Sequence, residues 1–82
     1  MKKIPFSKEA QSLKIGSYEH FKGGNVNVIG VAKHTETREE MVVYRHAEQG
    51  GIEGLWVRPL PMFLEDVEKD GRRVPRFRYV DV

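Results

Sequence analysis

Cysteine is absent from all 82 residues, which removes both a disulfide framework and a thiolate metal site from the means by which this chain could brace itself. A reducing, cytoplasmic setting is the expectation that follows. No apolar run approaches the roughly 18 residues of a membrane helix, and Met1, Lys2 and Lys3 lead into Pro5 and charges rather than a signal-peptide core. No membrane partner is expected. Charge of one sign is missing too: 14 Lys and Arg stand against 12 Asp and Glu, a net charge of +2, so any basic patch must arise from asymmetry rather than overall basicity. There is also little with which to build a core. A chain of this length buries only about 60–65% of the surface its unfolded form exposes, and with 39% hydrophobic residues it makes one small domain.

What is present reads as short strands punctuated by glycine. Residues 1–15 form an N-terminal arm, in which Ser7 caps a helical turn reaching about Leu13 and Ile4, Phe6, Leu13 and Ile15 supply anchors. The domain proper runs from 16 to 82. Tyr18 to Lys22 is a first strand, and Gly23, Gly24 and Asn25 suit the positive φ of a hairpin turn. Val26 to Ala32 is a second strand with Val26, Val28, Gly30 and Ala32 on one face, the small pair indicating a bend or a close backbone approach. Residues 33–40 are polar throughout and make a loop. Met41 to Ala47 is a third, central strand, since both its faces carry apolar side chains. After a flexible turn over 49–54, Leu55 to Arg58 forms the fourth strand, with Leu55 and Val57 on one face and Trp56 and Arg58 on the other. Pro59 ends it, and Leu60 to Phe63 forms a turn of 3₁₀ or irregular helix. Leu64 to Lys69 and Arg72 to Val80 flank Asp70 and Gly71, the preferred pair for a type I′ hairpin, with Pro75 marking an edge strand or a kink. The fold class expected is all-β, a small antiparallel SH3-like barrel or roll with a short N-terminal arm, and an OB-like barrel is the alternative.

Ordered blocks along the chain carry a resemblance. His20-Phe21-Lys22-Gly23, Gly30 to Thr37, Val42 to Arg45, Leu55 to Pro59 with Met62 and Phe63, and Val74 to Phe77 together resemble the small bacterial family known as domain of unknown function 1653. The likeness runs from about Tyr18 to Tyr79. It implies an SH3-like barrel without an established activity, and it supplies no catalytic or binding residues. The second glycine of Gly23-Gly24 and the loop around Gly50 and Gly51 depart from the pattern, in loop length only.

Few residues carry legible chemistry. Tyr44, Arg45, Trp56 and Arg58 lie on strands that can be neighbours, and a guanidinium beside aromatic faces can stack on a base or pair with phosphate or carboxylate. The plainer reading makes the aromatics core or rim residues, covered by arginines that pair with Glu36, Glu39, Glu40 or Glu53. Arg58 precedes a proline, so its backbone is held extended and its side chain is presented from a rigid strand end. His20, His34 and His46 fall in three elements without metal-ligand spacing, so no metal and no cofactor is expected. His34, beside Thr35, Glu36 and Thr37, either contributes to binding or shapes a local turn. Lys69, Arg72, Arg73, Arg76 and Arg78 alternate in part with Phe77 and Tyr79, as in a phosphate-tracking strand or a charged edge strand. Five neighbouring acids nearly neutralise them. No nucleophile, P-loop or paired carboxylate is present, which argues against an enzyme. The function expected is a binding module presenting Tyr44, Arg45, Trp56, Arg58 and His34 to an anionic or planar partner such as single-stranded RNA. The alternatives are a protein segment on an exposed sheet edge, and a small enzyme with His34 or His46 as acid or base.

Overall fold

A computed structural model describes residues 5–46 and 54–80. Helix α1 (Lys8–Ser12) precedes strands β1 (Gly16–His20), β2 (Asn25–Lys33), β3 (Glu40–His46) and β4 (Leu55–Pro59). Helix α2 (Leu60–Leu64) is followed by β5 (Asp66–Lys69), β6 (Arg72–Pro75) and β7 (Phe77–Tyr79). All pairings are antiparallel, in a five-stranded sheet of order β4-β3-β2-β1-β7 and a two-stranded ribbon, β5-β6. The all-β antiparallel class is as expected. So is the central place of β3. No helix among the described residues is long and apolar enough to cross a membrane.

The large sheet is rolled. In a flat sheet β4 and β7 would lie about 19 Å apart, four strand spacings, beyond the reach of two side chains. Yet the Arg58 guanidinium on β4 sits 5.6 Å from the centre of the Phe77 ring on β7. Side chains bridge the two edges, and no backbone pairing joins β4 to β7 among the described residues.

A bulge in β2 helps the sheet to curl. Val28 faces Tyr44 and Gly30 faces Val43, so Ile29 is an extra residue that bends the strand and reverses its alternation. Val26 and Val28 point inward before it; beyond it Val31 packs against the core, Ile29 is exposed and so is Ala32. The expected face of Val26, Val28, Gly30 and Ala32 is therefore corrected at its second half. A Cβ on Gly30 would meet nothing within 4 Å, so the small residues mark a bend and not a close approach.

Turn chemistry follows local preference. Asp70 and Gly71 both have positive φ, 53° and 76°, as a type I′ turn requires, and Gly23 and Gly24 sit at 98° and 86°. The C-terminal hairpin is shorter than expected, because the chain leaves the ribbon after Pro75 and enters the large sheet at Phe77. Arg76, between them, donates its backbone N–H to the Glu65 carbonyl and accepts at its own carbonyl from Phe21. Pro75 thus marks a kink between two sheets. The turn over 49–53 and the glycines at 50 and 51 lie outside the described residues.

Helix α2 plugs one end of the roll. Its five residues form a single α-helical turn rather than a 3₁₀ one, and the two prolines do not interrupt it. Pro59 is the N-cap and Pro61 lies in the first turn, where a missing N–H costs no helical hydrogen bond. Leu60 and Phe63, three apart, share the buried face. Phe63 stacks on Phe77 at 4.3 Å and meets Tyr18 edge-on at 5.2 Å, so one ring ties α2 to β1 and β7. The N-terminal arm is docked. Ala10 is in the core, Leu13 packs against it, and the Tyr18 hydroxyl donates to the Lys14 carbonyl.

Candidate functional site

Among the described residues, the end of the roll bordered by His20, His46 and Trp56 is open. Register places His46 beside Val26, Trp56 beside Tyr44, and Phe77 beside His20, so these side chains face the interior at that end. Together with Arg58 they line a cavity of about 320 Å³. Val26, Tyr44 and Phe77 are its buried floor, His20 and Arg58 its half-buried walls, and His46 and Trp56 its exposed rim. The rim rings meet edge-on at 6.3 Å.

Arg58 is the unusual member. Its Nε is buried and has no hydrogen-bond partner, and it forms no ion pair among the described residues. The face of Phe77 is its visible support. Arg76 and Arg78 differ, since each donates to a carboxylate, Glu65 and Glu19 respectively. With Phe77 buried and Tyr79 half-buried, the basic C-terminal strand is a charged edge whose aromatics point inward.

His20 lies in the wall of the mouth. Its Nδ1 accepts from the backbone N–H of Lys22 at 3.1 Å, so in the neutral ring the proton sits on Nε2. Burial, reinforced by the positive charges of Arg58, Arg76 and Lys22 and by His46, lowers its pKa below the ordinary histidine value. It is therefore neutral near pH 7. No carboxylate of the described residues lines the cavity.

The sequence-derived set divides. Tyr44, Trp56 and Arg58 are brought together. Arg45 is not: it pairs with Asn27 and Leu55 and faces the outer side of the sheet, because neighbours along a strand point oppositely. Nor is His34, whose Nδ1 accepts from the N–H groups of Glu36 and Thr37 at 3.2 and 3.3 Å and so shapes the β2–β3 turn. That turn lies about 20 Å along β3 from His46. His20, His46 and Phe77 were not in the set, and only the turn signal at Gly23-Gly24, which folds β1 back on β2, hints at their convergence. No metal-holding group of His, Asp and Glu occurs among the described residues.

A small antiparallel roll, plugged by one helical turn and open at an aromatic and arginine mouth, is the class these features define. The chain belongs to the family described as protein of unknown function DUF1653, whose model matches residues 16–79. It is similar to the crystal structure of a protein of that family from Bordetella bronchiseptica, with 32% identity and a TM-score of 0.78 over 87% of this chain and 91% of that one. No curated protein matches it.

Proposed function

We propose that this protein is a non-enzymatic binding module whose mouth takes an anionic, planar group, with single-stranded nucleic acid as the partner class. One observation carries the reading: a half-buried guanidinium with an unsatisfied Nε, set among aromatic rings in a cavity that no carboxylate of the described residues lines. The dry Nε costs about 1–3 kcal/mol and marks a guanidinium that no described carboxylate neutralises, so an arriving oxyanion meets a full positive charge at its terminal nitrogens. Trp56, 53% exposed, offers a face on which a base can stack. Acid–base catalysis has less support, because among the described residues His20 has no carboxylate to orient it and His34 is committed to its turn. A cysteine-free chain suits a reducing, cytoplasmic setting.

The number of cations in the mouth makes the reading quantitative. With Arg58 as the one fixed charge among the described lining residues, log K against log salt should fall with a slope of about −0.7, where a strand-tracking stripe of several cations would be far steeper. Backbone NMR titration with a pool of short single-stranded RNAs, at low and moderate salt, measures this. Shifts confined to the residues around His20, Tyr44, His46, Trp56 and Arg58, with that shallow slope, are the expected outcome. Shifts spread along Arg72, Arg73 and Arg78 would reject the mouth as the site.

A second reading has its own observation. Edge strand β4 exposes Leu55 and Val57, 43% and 57%, beside an unpaired backbone edge among the described residues, as suits a protein segment added as a further strand. Shifts along β4 on adding an extended peptide, indifferent to salt, would favour it.

A further inference from the structure

The mouth is blind. Below Val26, Tyr44 and Phe77, which are 2%, 7% and 7% exposed, Phe63 of α2 stacks on Phe77 and is itself 1% exposed. A polymer cannot thread through such a cavity; it enters by an end, or by a segment sharply bent back on itself.

The wall and rim are rich in donors. The Arg58 guanidinium and the Trp56 indole N–H donate only, and the Nδ1 of His20 is already occupied, which leaves Nε2–H. The Tyr44 hydroxyl and the His46 ring can serve either way. Among the described residues the wall has one fixed cation and no carboxylate, which suits a ligand tip that carries several free oxygens. A phosphomonoester has three such oxygens and a charge of about −1.5 to −2 near pH 7. An internal phosphodiester has two and a single charge, and its chain continues from both ester oxygens. Both continuations would have to leave through the same mouth, with the chain bent back on itself beside Trp56 and His46. The cavity, about 320 Å³, lies at the small end of the range that ligand sites occupy, roughly 300–1,000 Å³. It suits one head group, with the attached base held at the rim.

Resting on the binding reading above, we infer that the mouth recognises a terminal phosphomonoester of a nucleoside, its phosphate on Arg58 and His20 and its base against Trp56, and excludes internal phosphodiesters. A free mononucleotide and the phosphorylated end of a strand share this chemistry. Arg58 supplies the charge, the blind floor supplies the selection for an end, and Trp56 supplies preference for an aromatic group over bare phosphate.

The test uses the full chain, with backbone NMR and Trp56 fluorescence. The probes are the four nucleoside 5′-monophosphates, the parent nucleosides, and one short single-stranded RNA with either a 5′-phosphate or hydroxyls at both ends. At least one monophosphate or the phosphorylated strand should shift the His20, Trp56 and Arg58 signals. Its hydroxyl-ended counterpart, nucleoside or strand, should bind roughly tenfold or more weakly, because buried donors are then left unpaired. Arg58→Gln should erase that difference while the spectrum stays dispersed. Binding by monophosphates alone identifies a free nucleotide as the source, binding by the phosphorylated strand alone identifies a strand end, and either supports the inference. Equal binding of the two strands at the mouth overturns end recognition and leaves the anion-binding module standing. Silence of the mouth towards every probe overturns both.

Discussion

Three arginines near the open end show what a partner does to a charge. Arg76 and Arg78 meet glutamates at the surface, where an exposed pair contributes at most about 1 kcal/mol, so each is nearly neutral for stability. Arg58 meets only a ring among the described residues, with its Nε dry. A residue kept there for stability should be costly to replace; one kept for a ligand should not be. Arg58→Met retains the packing over Phe77 and removes a poorly satisfied charge. Urea unfolding should show it unchanged or more stable by about 1–2 kcal/mol, with loss of anion binding. A loss of several kcal/mol would instead make Arg58 structural. Its presentation from a strand end was readable from the proline that follows it, whereas its separation from the carboxylates of the described residues was not, since that depends on which glutamates the fold brings near.

Among the elements, the arm is joined to β3 by a pH-dependent contact. The Ser7 hydroxyl accepts from the Ala10 N–H as N-cap of α1 and donates to Glu40 at 2.6 Å, and the Ser7 N–H donates to the same carboxylate at 2.7 Å. Both bonds favour the ionised form and lower the Glu40 pKa from its ordinary 4.5, with Lys33 adding a little. The folded pKa lies below the unfolded one, so this stabilisation is present in full above about pH 4.5 and is lost as pH falls through the lowered value. The Ala10 amide shift should therefore titrate with a midpoint below 4.5, and the inflection should vanish in Glu40→Gln. Ser7→Ala removes the cap as well, and urea unfolding should register about 1 kcal/mol. The helical turn at Ser7 was legible as a capping signal. Its anchor, 33 residues away at Glu40, had no local sign.

For the whole molecule, stability depends on one plug. A domain of 82 residues has about 4–12 kcal/mol to lose, at roughly 0.05–0.15 kcal/mol per residue. Phe63 fills the roll from α2 and contacts the rings of Tyr18, Tyr44 and Phe77. Phe63→Ala should cost about 3–5 kcal/mol and leave a substantial unfolded fraction, seen as lost near-UV dichroism and collapsed NMR dispersion. Leu64→Ala, one residue on and 45% exposed, should change stability by less than about 0.5 kcal/mol. The sequence by itself determined the all-β class, the hairpin at Asp70-Gly71, the turn at Gly23-Gly24 and the strand end at Pro59. Backbone preferences at these residues act over only a few positions and hold in any context. The tertiary structure alone decided the bulge at Ile29, which hands the core contact from Gly30 and Ala32 to Val31. It also decided that Arg45 turns away from Tyr44 and that His20 and His46 join Arg58 at one mouth. Those outcomes depend on register between strands distant in the chain, where a slip of one residue exchanges the two faces.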